Sequence, residues 1–352
     1  ENVIIYIIMI SSKYNLFFLV ISLILILESQ TFAENIEKNG ASIFMYHRFD
    51  ETKYPSTNTN INQLEKHLSY VTSNNFNIET IDEILKKKKE NKSYLPKTIS
   101  FTVDDAFLSF YEKGWPLFKK YNIPVTLFIS TDIVNQSHWN YMHWDDIRKF
   151  IEEGGSVGLH SASHMHLPLN KINHIKNDLI RSAKVFEKEL GFIPKVFAYP
   201  YGEASKEIIN ILKEQGIEYA FGQHSGLVHS ESDSFYLPRF ALNENYGKID
   251  RFIFSANLKP LIIKDFLPDK KFLTLNKKPI IKFNLVSEIK KEQLNCFSNS
   301  GGDWNNLHIE VSLSNQVTLK LEKPFLSGRG RINCTAKINN DWLWFGYQFL
   351  IK

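Results

Sequence analysis

The spacing of apolar positions changes once along this chain, and that change divides it. From residue 42 to about residue 221, short apolar runs are separated by amphipathic stretches. Ser42–Tyr46 (SIFMY), Thr98–Val103 (TISFTV), Val125–Ile129, Ser156–Leu159, Val196–Tyr199 and Glu218–Phe221 read as buried strands. Between them, Ile61, Leu64, Leu68 and Val71 recur at spacings of three and four, which marks one face of a helix. Further helices are expected around Phe107–Tyr121, over Trp144–Ile151, over Ile172–Leu190, and over Lys206–Gln215 with Ser205 as its cap. Repeated strand–helix units imply a parallel sheet, and their number suits a complete or partial β/α barrel spanning residues 40–257.

Beyond Leu258 the alternation fades. Residues 258–279 contain Lys and Pro without a clear period and are expected to be a linker. From Ile280 the pattern turns to short strands. His308, Glu310 and Ser312 alternate with Ile309, Val311 and Leu313, a period of two, and Asn339-Asn340-Asp341 reads as a hairpin turn. Residues 280–352 are therefore expected to form a small all-β sandwich. Trp304, Trp342 and Trp344 in this part would be either core or sugar-stacking residues.

The N-terminus opens with a different pattern. Leu16–Leu27 is apolar or small throughout, preceded by Lys13 and followed by Thr31-Phe32-Ala33. That order predicts a secretory signal over residues 1–33 or, if uncleaved, a membrane anchor; either places the body outside the cytoplasm, periplasmic or extracellular. In such an oxidising compartment the two cysteines, Cys296 and Cys334, are expected to pair.

Composition narrows the field further. Hydrophobic residues make up 43% of the 352, with 27 Phe, which is incompatible with a disordered chain. The net charge is only +4, and there is no Arg cluster or basic stripe with interleaved aromatics, so a nucleic-acid partner is not expected. The run Lys86–Lys89 reads as the solvated end of a helix.

Candidate chemistry gathers at strand ends. Asp104-Asp105 closes the apolar run Thr98–Val103, where two adjacent carboxylates would repel and desolvate unless something satisfies them. One carboxylate on a metal beside one poised as a base removes the difficulty; a helix cap plus a surface Asp is the plainer reading. His160 and His164 follow Ser156–Leu159, and two imidazoles four residues apart can face one point on a compact turn. With Asp105 they make two nitrogens and one oxygen, a hydrolytic rather than structural metal set with a position left for water. His166 is offset and is expected to support or pack. Tyr199-Pro200-Tyr201-Gly202 follows the strand at Val196, in a turn whose backbone N–H groups could hold an oxyanion and whose rings suit a sugar.

Taken together, Asp-Asp, then His-x3-His, then Tyr-Pro-Tyr-Gly resembles the carbohydrate esterase family 4 polysaccharide deacetylases, the NodB-like group, over roughly Ile43 to Arg251. The resemblance implies a distorted, incomplete β/α barrel and metal-dependent removal of N-acetyl groups from an N-acetylhexosamine polymer. It assigns Asp104 as general base, Asp105, His160 and His164 as ligands of one divalent metal (Zn2+, with Co2+ or Ni2+ as alternatives), and the Tyr201 N–H as part of an oxyanion hole. Three features depart from the family pattern: Val103 and Ala106 flank the pair where Phe and Gly are common, Ala198 stands where many members carry the Arg that supports the base, and the late Leu-x-His acid segment is missing. However, Met45-Tyr46-His47 ends the first strand, as in the circularly permuted poly-N-acetylglucosamine deacetylases, where the acid histidine lies near the N-terminus. His47 is accordingly the expected general acid and His224 its rival; His224 and Arg239, near the barrel mouth, are expected either to contact substrate or to belong to a loop. The expected partner is a polysaccharide, with a membrane tether only if the N-terminal segment stays uncleaved. The competing readings are an acetyl-ester hydrolase on a polysaccharide and a glycan-binding protein that has lost turnover.

Overall fold

The structure is a computed structural model and describes residues 39–352. The expected signal or anchor over residues 1–33 lies outside them. Among the described residues no helix is long and apolar enough to cross a membrane.

The apolar runs of the first two-thirds form one curled sheet. Leu227–Val228, Ala41–Tyr46, Thr98–Asp104, Thr126–Ile129, Ser156–Leu159, Val196–Ala198 and Tyr219–Phe221 lie side by side in that order. All neighbours are parallel except the pair Ala41↔Val228 and Ser42↔Leu227. Ala41–Tyr46 and Thr98–Asp104 are buried at every position, which is why they read as unbroken apolar runs. The sheet is drawn toward closure by the segment after the last strand. Leu237 bridges to Phe221, and Phe240–Ala241 pairs with Phe44 and Met45. This is the distorted, incomplete β/α barrel that the resemblance implied.

The helices cover the sheet where the periodicity placed them. Leu64, Leu68 and Val71 are the buried stripe of Ile61–Ser73, which Asn60 and Gln63 cap reciprocally. Ser205 accepts from Ile208 N at the start of Lys206–Glu214. Phe107–Tyr121 departs from expectation: the chain winds as a π-helix over Phe110–Gly114 before the α-helix Trp115–Lys120. Nor is the lysine run wholly solvated, because Lys88 is buried and donates to the Ser230 carbonyl.

Residues 258–279 are not the expected linker. Lys259–Pro260 and Phe272–Leu273 both pair with the final strand Asp341–Ile351, and Ile263–Leu267 pairs with Ile281–Leu285. Their short strands join the two sheets of a β-sandwich, so this stretch shows no clear period although it is structured. One sheet holds Asp341–Ile351, Gly328–Ile338 and Leu294–Asn299; the other holds Ile263–Leu267, Ile281–Leu285, Gln316–Lys320 and His308–Val311. The hairpin turns at Asn339, whose φ is 53°. The sandwich packs directly on the barrel. Trp344 Nε1 donates to Ser225 Oγ at 3.0 Å, and a Cβ on Gly346 would stand 2.0 Å from the Ser225 carbonyl oxygen. Trp344 is thus an interface residue, while Trp304 and Trp342 remain exposed.

Cys296 and Cys334 sit directly opposite each other on paired strands and form a disulfide, with Cα atoms 4.1 Å apart at a sequence separation of 38. Replacing both by serine is expected to lower the stability of the protein by about 2–4 kcal/mol. Denaturant titration of the oxidised protein against the double variant measures this; equal midpoints would show that the bridge contributes nothing.

Candidate active site

Regular strand geometry would send Asp104 and Asp105 to opposite faces. The backbone breaks that alternation: Asp105 and Ala106 hold φ of 78° and 57°. A left-handed alanine is strained where glycine is not, which gives a physical reason for glycine to be favoured after such a pair.

Asp104 is fully buried and its two oxygens accept from Arg239, Nη1 at 2.7 Å and Nη2 at 2.9 Å. The guanidinium, itself fully buried, also donates Nε to the Gly222 carbonyl and Nη1 to Thr102 Oγ1. Burial pushes the Asp104 pKa up, but Arg239 and then His160 outweigh it and hold the carboxyl below its usual value. Arg239 is therefore not the substrate contact or loop residue anticipated. It rides on the closing segment Leu237–Ala241 into the barrel and supplies the support that Ala198 cannot. Its position in the chain gave no signal, because the connection is purely three-dimensional.

Asp105 faces two imidazoles. His160 Nε2 stands 3.4 Å and His164 Nε2 3.2 Å from its Oδ1. Burial opposes ionisation of Asp105, yet the two histidines hold its pKa well below the ordinary carboxylate range. His160 is fully buried, and its Nδ1 lies 2.7 Å from the Ala198 carbonyl, a contact that fixes the proton there and leaves the Nε2 lone pair free. That Nε2 and Asp105 Oδ1 are both buried without a hydrogen-bond partner. Two orphaned acceptors aimed at one point are costly for a protein alone and are what a cation would satisfy. Asp105, His160 and His164 offer ligand atoms all within 4.8 Å of one another, the one such group among the described residues. The residues fit a divalent metal.

The loop carrying His164 is pinned from below. Asp178 accepts from Ala162 N and Ser163 N, and Ser182 Oγ donates to the Ser161 carbonyl. Asp178 was not anticipated, although a carboxylate on the buried face of Ile172–Leu190 beside Ile175 and Leu179 is a readable signal.

The Tyr199–Gly202 turn is split in function. Tyr199 is not a sugar contact: its ring is buried and its hydroxyl donates to the Phe235 carbonyl. Pro200 is buried as well. Tyr201 takes φ of 59°, and its ring meets the metal-ligand side edge-on, 4.7 Å from the His164 ring centroid. Its other neighbour is His166, stacked at 3.9 Å and bonded through Nδ1 to Glu203 Oε2 at 2.8 Å.

His47 follows the first strand and is part-exposed. Burial lowers its pKa, and Asp105 and then Asp104 oppose that, so both carboxylates lie within its electrostatic reach. His224 lies elsewhere. It is buried against Tyr236, 4.3 Å between centroids, and lines a cavity of about 470 Å³ between barrel and sandwich. Burial, then the Lys271 charge, pushes its pKa down to about 3. Asp105 and His164 open instead into a separate cavity of about 490 Å³, walled by Arg48, Phe107 and Tyr141.

Residues 91–220 match the family described as Polysaccharide deacetylase, a span that contains both aspartates, His160, His164 and the Tyr-Pro-Tyr-Gly turn. The chain is 27% identical over 221 residues to the poly-beta-1,6-N-acetyl-D-glucosamine N-deacetylase of Staphylococcus aureus strain MRSA252, covering 59% of this chain and 75% of that one. With the Staphylococcus epidermidis protein of the same name the identity is 23%, covering 52% and 67%. The fold is shared with the Streptococcus pyogenes deacetylase PplD, solved with acetate, at a TM-score of 0.57 and 17% identity, over 62% of this chain and 99% of that one. It is shared likewise with IcaB from Ammonifex degensii, at a TM-score of 0.55 and 21% identity, over 63% and 98%. Residues 91–220 thus form a polysaccharide deacetylase domain of the NodB-like kind.

Proposed function

We propose that this hydrolase removes N-acetyl groups from a polymer of N-acetylglucosamine, β-1,6-linked as in the substrate for which its staphylococcal relatives are named. The observation that carries the reading is the pair of orphaned buried acceptors, His160 Nε2 and Asp105 Oδ1, beside a carboxylate kept ionised by Arg239. A divalent ion of the zinc type held by Asp105, His160 and His164 would supply Lewis acidity to the acetyl carbonyl and make water easier to deprotonate. Asp104 accepts the proton from the attacking water. The Tyr201 N–H donates to the oxygen that becomes negative as the carbonyl carbon turns tetrahedral. His47 gives a proton to the amide nitrogen as the C–N bond breaks, releasing acetate and a free amine on the sugar. The N-terminal pattern and the disulfide support an exported protein, tethered only if the segment is kept. Acetate release from poly-N-acetylglucosamine, chitin oligomers, peptidoglycan and acetylxylan tests the substrate. Release from acetylxylan with none from the N-acetylated polymers would replace the amidase reading by an esterase.

Arg239→Met gives a check on the base. Removing the guanidinium leaves a buried carboxylate unpaired, which is expected to destabilise the protein by about 3–5 kcal/mol. A depressed pKa means Asp104 stabilises the fold above its unfolded pKa and loses that contribution as pH falls through the folded one. In the variant the pKa rises, so the acidic limb of kcat/KM moves to higher pH. An unmoved acidic limb in a folded variant would show that Asp104 is not the group titrating there.

A further inference from the structure

The sandwich reaches the Tyr199–Gly202 turn through a buried side chain. Gln348, on the final strand Asp341–Ile351, is only 1% exposed. Its Nε2 donates to the Tyr201 carbonyl at 3.0 Å and lies 3.3 Å from the Gly202 carbonyl. Its Oε1 accepts from Arg331 Nε at 3.4 Å, which fixes the amide's orientation. The Tyr236 hydroxyl lies 3.1 Å from the Gly202 oxygen and 2.9 Å from the Gln348 carbonyl oxygen, so its single proton is shared between turn and sandwich.

The turn needs such support. Tyr201 and Gly202 hold φ of 59° and 70°, and the first of these is strained for a residue with a Cβ. Within the turn, Gly202 N donates to Tyr199 O and Glu203 N to Pro200 O. A non-glycine in that conformation persists only where the surroundings over-determine it, and the carbonyls on its sandwich side are held from across the domain boundary. A Cβ on Gly202 would stand 2.6 Å from Gln223 N, so the barrel side of the turn admits only glycine there.

We propose that the C-terminal sandwich is part of the deacetylase site: Gln348 is a positioning residue that clamps the Tyr201–Gly202 turn in the conformation the reaction uses. The catalytic half of this rests on the reading of the Tyr201 N–H as an oxyanion donor. The clamp itself does not.

The test is Gln348→Met in the full chain, which keeps length and apolar volume and removes the donors. Amide hydrogen exchange over residues 199–203 is expected to quicken. The kcat is expected to fall about 10- to 100-fold, the scale of misplacing a catalytic group by a fraction of its contact distance. KM and bound metal are expected to stay at the wild-type level; loss of folded protein would also leave KM unchanged but would lower bound metal per chain in step with kcat. Unchanged exchange and unchanged kcat in the folded variant would overturn the clamp. Faster exchange with unchanged kcat would leave the clamp standing and remove Tyr201 from the oxyanion role. Should Gln348→Met fail to fold, Tyr236→Phe decides: loss of that single oxygen is expected to move both readouts the same way by less, and no movement in either would overturn the inference.

Discussion

Replacing His160 or His164 by alanine is expected to abolish bound metal and acetate release together, while purified wild-type protein carries about one divalent ion per chain. The three ligand atoms leave no redundancy, since two remaining donors hold a hydrolytic ion poorly. The His160 change has a second effect, because its Nδ1 contact to the Ala198 carbonyl is lost with the ring. Elemental analysis alongside acetate release measures both quantities. Chelation should silence the wild type and re-addition of zinc restore it. Full turnover in a demonstrably metal-free preparation would defeat the mechanism.

Alanine at His47 is expected to cost about 10²- to 10⁴-fold in kcat with metal content retained, and alanine at His224 far less. An amide cannot expel an unprotonated amine, so the reaction needs an acid beside the departing nitrogen. His47 directly follows a strand buried along its whole length and feels both aspartates. His224 opens into the other cavity, away from Asp105 and His164, and burial, then the Lys271 charge, pushes its pKa down to about 3. If His224→Ala shows the large loss and His47→Ala stays near wild type, the assignment is reversed.

The parts of the molecule legible in the sequence are those whose signal is local. Buried parallel strands print unbroken apolar runs, and residues at their ends, such as Asp104, His160 and Tyr201, are placed by the strand that precedes them. The metal set could be read because His160 and His164 lie on one short turn. Arg239 was named but misread, because its role comes from a segment crossing between the first and last strands, a relation with no sequence period. Residues 258–279 were missed for a related reason: Lys259–Pro260 and Phe272–Leu273 are too short to alternate, and Ile263–Leu267 shifts register between Lys264 and Leu267. Gln348 gave no signal at all, since one polar position in an otherwise apolar strand does not say what it faces.

The late arrival of Arg239 and Gln348 sets an order on assembly. Asp104 precedes its cation by 135 residues, and Tyr201 precedes its clamp by 147. A chain emerging N-terminus first therefore presents both carboxylates and the histidine pair before the groups that neutralise and brace them. Contacts of such range form late and cost loop-closure entropy first. A fragment that stops near residue 220 would expose a half-built barrel with a repelling acid pair at its mouth. Trp344 and Gln348 tie the sandwich to the barrel, so the turn that carries Tyr201 gains its brace only when the last strand has been added.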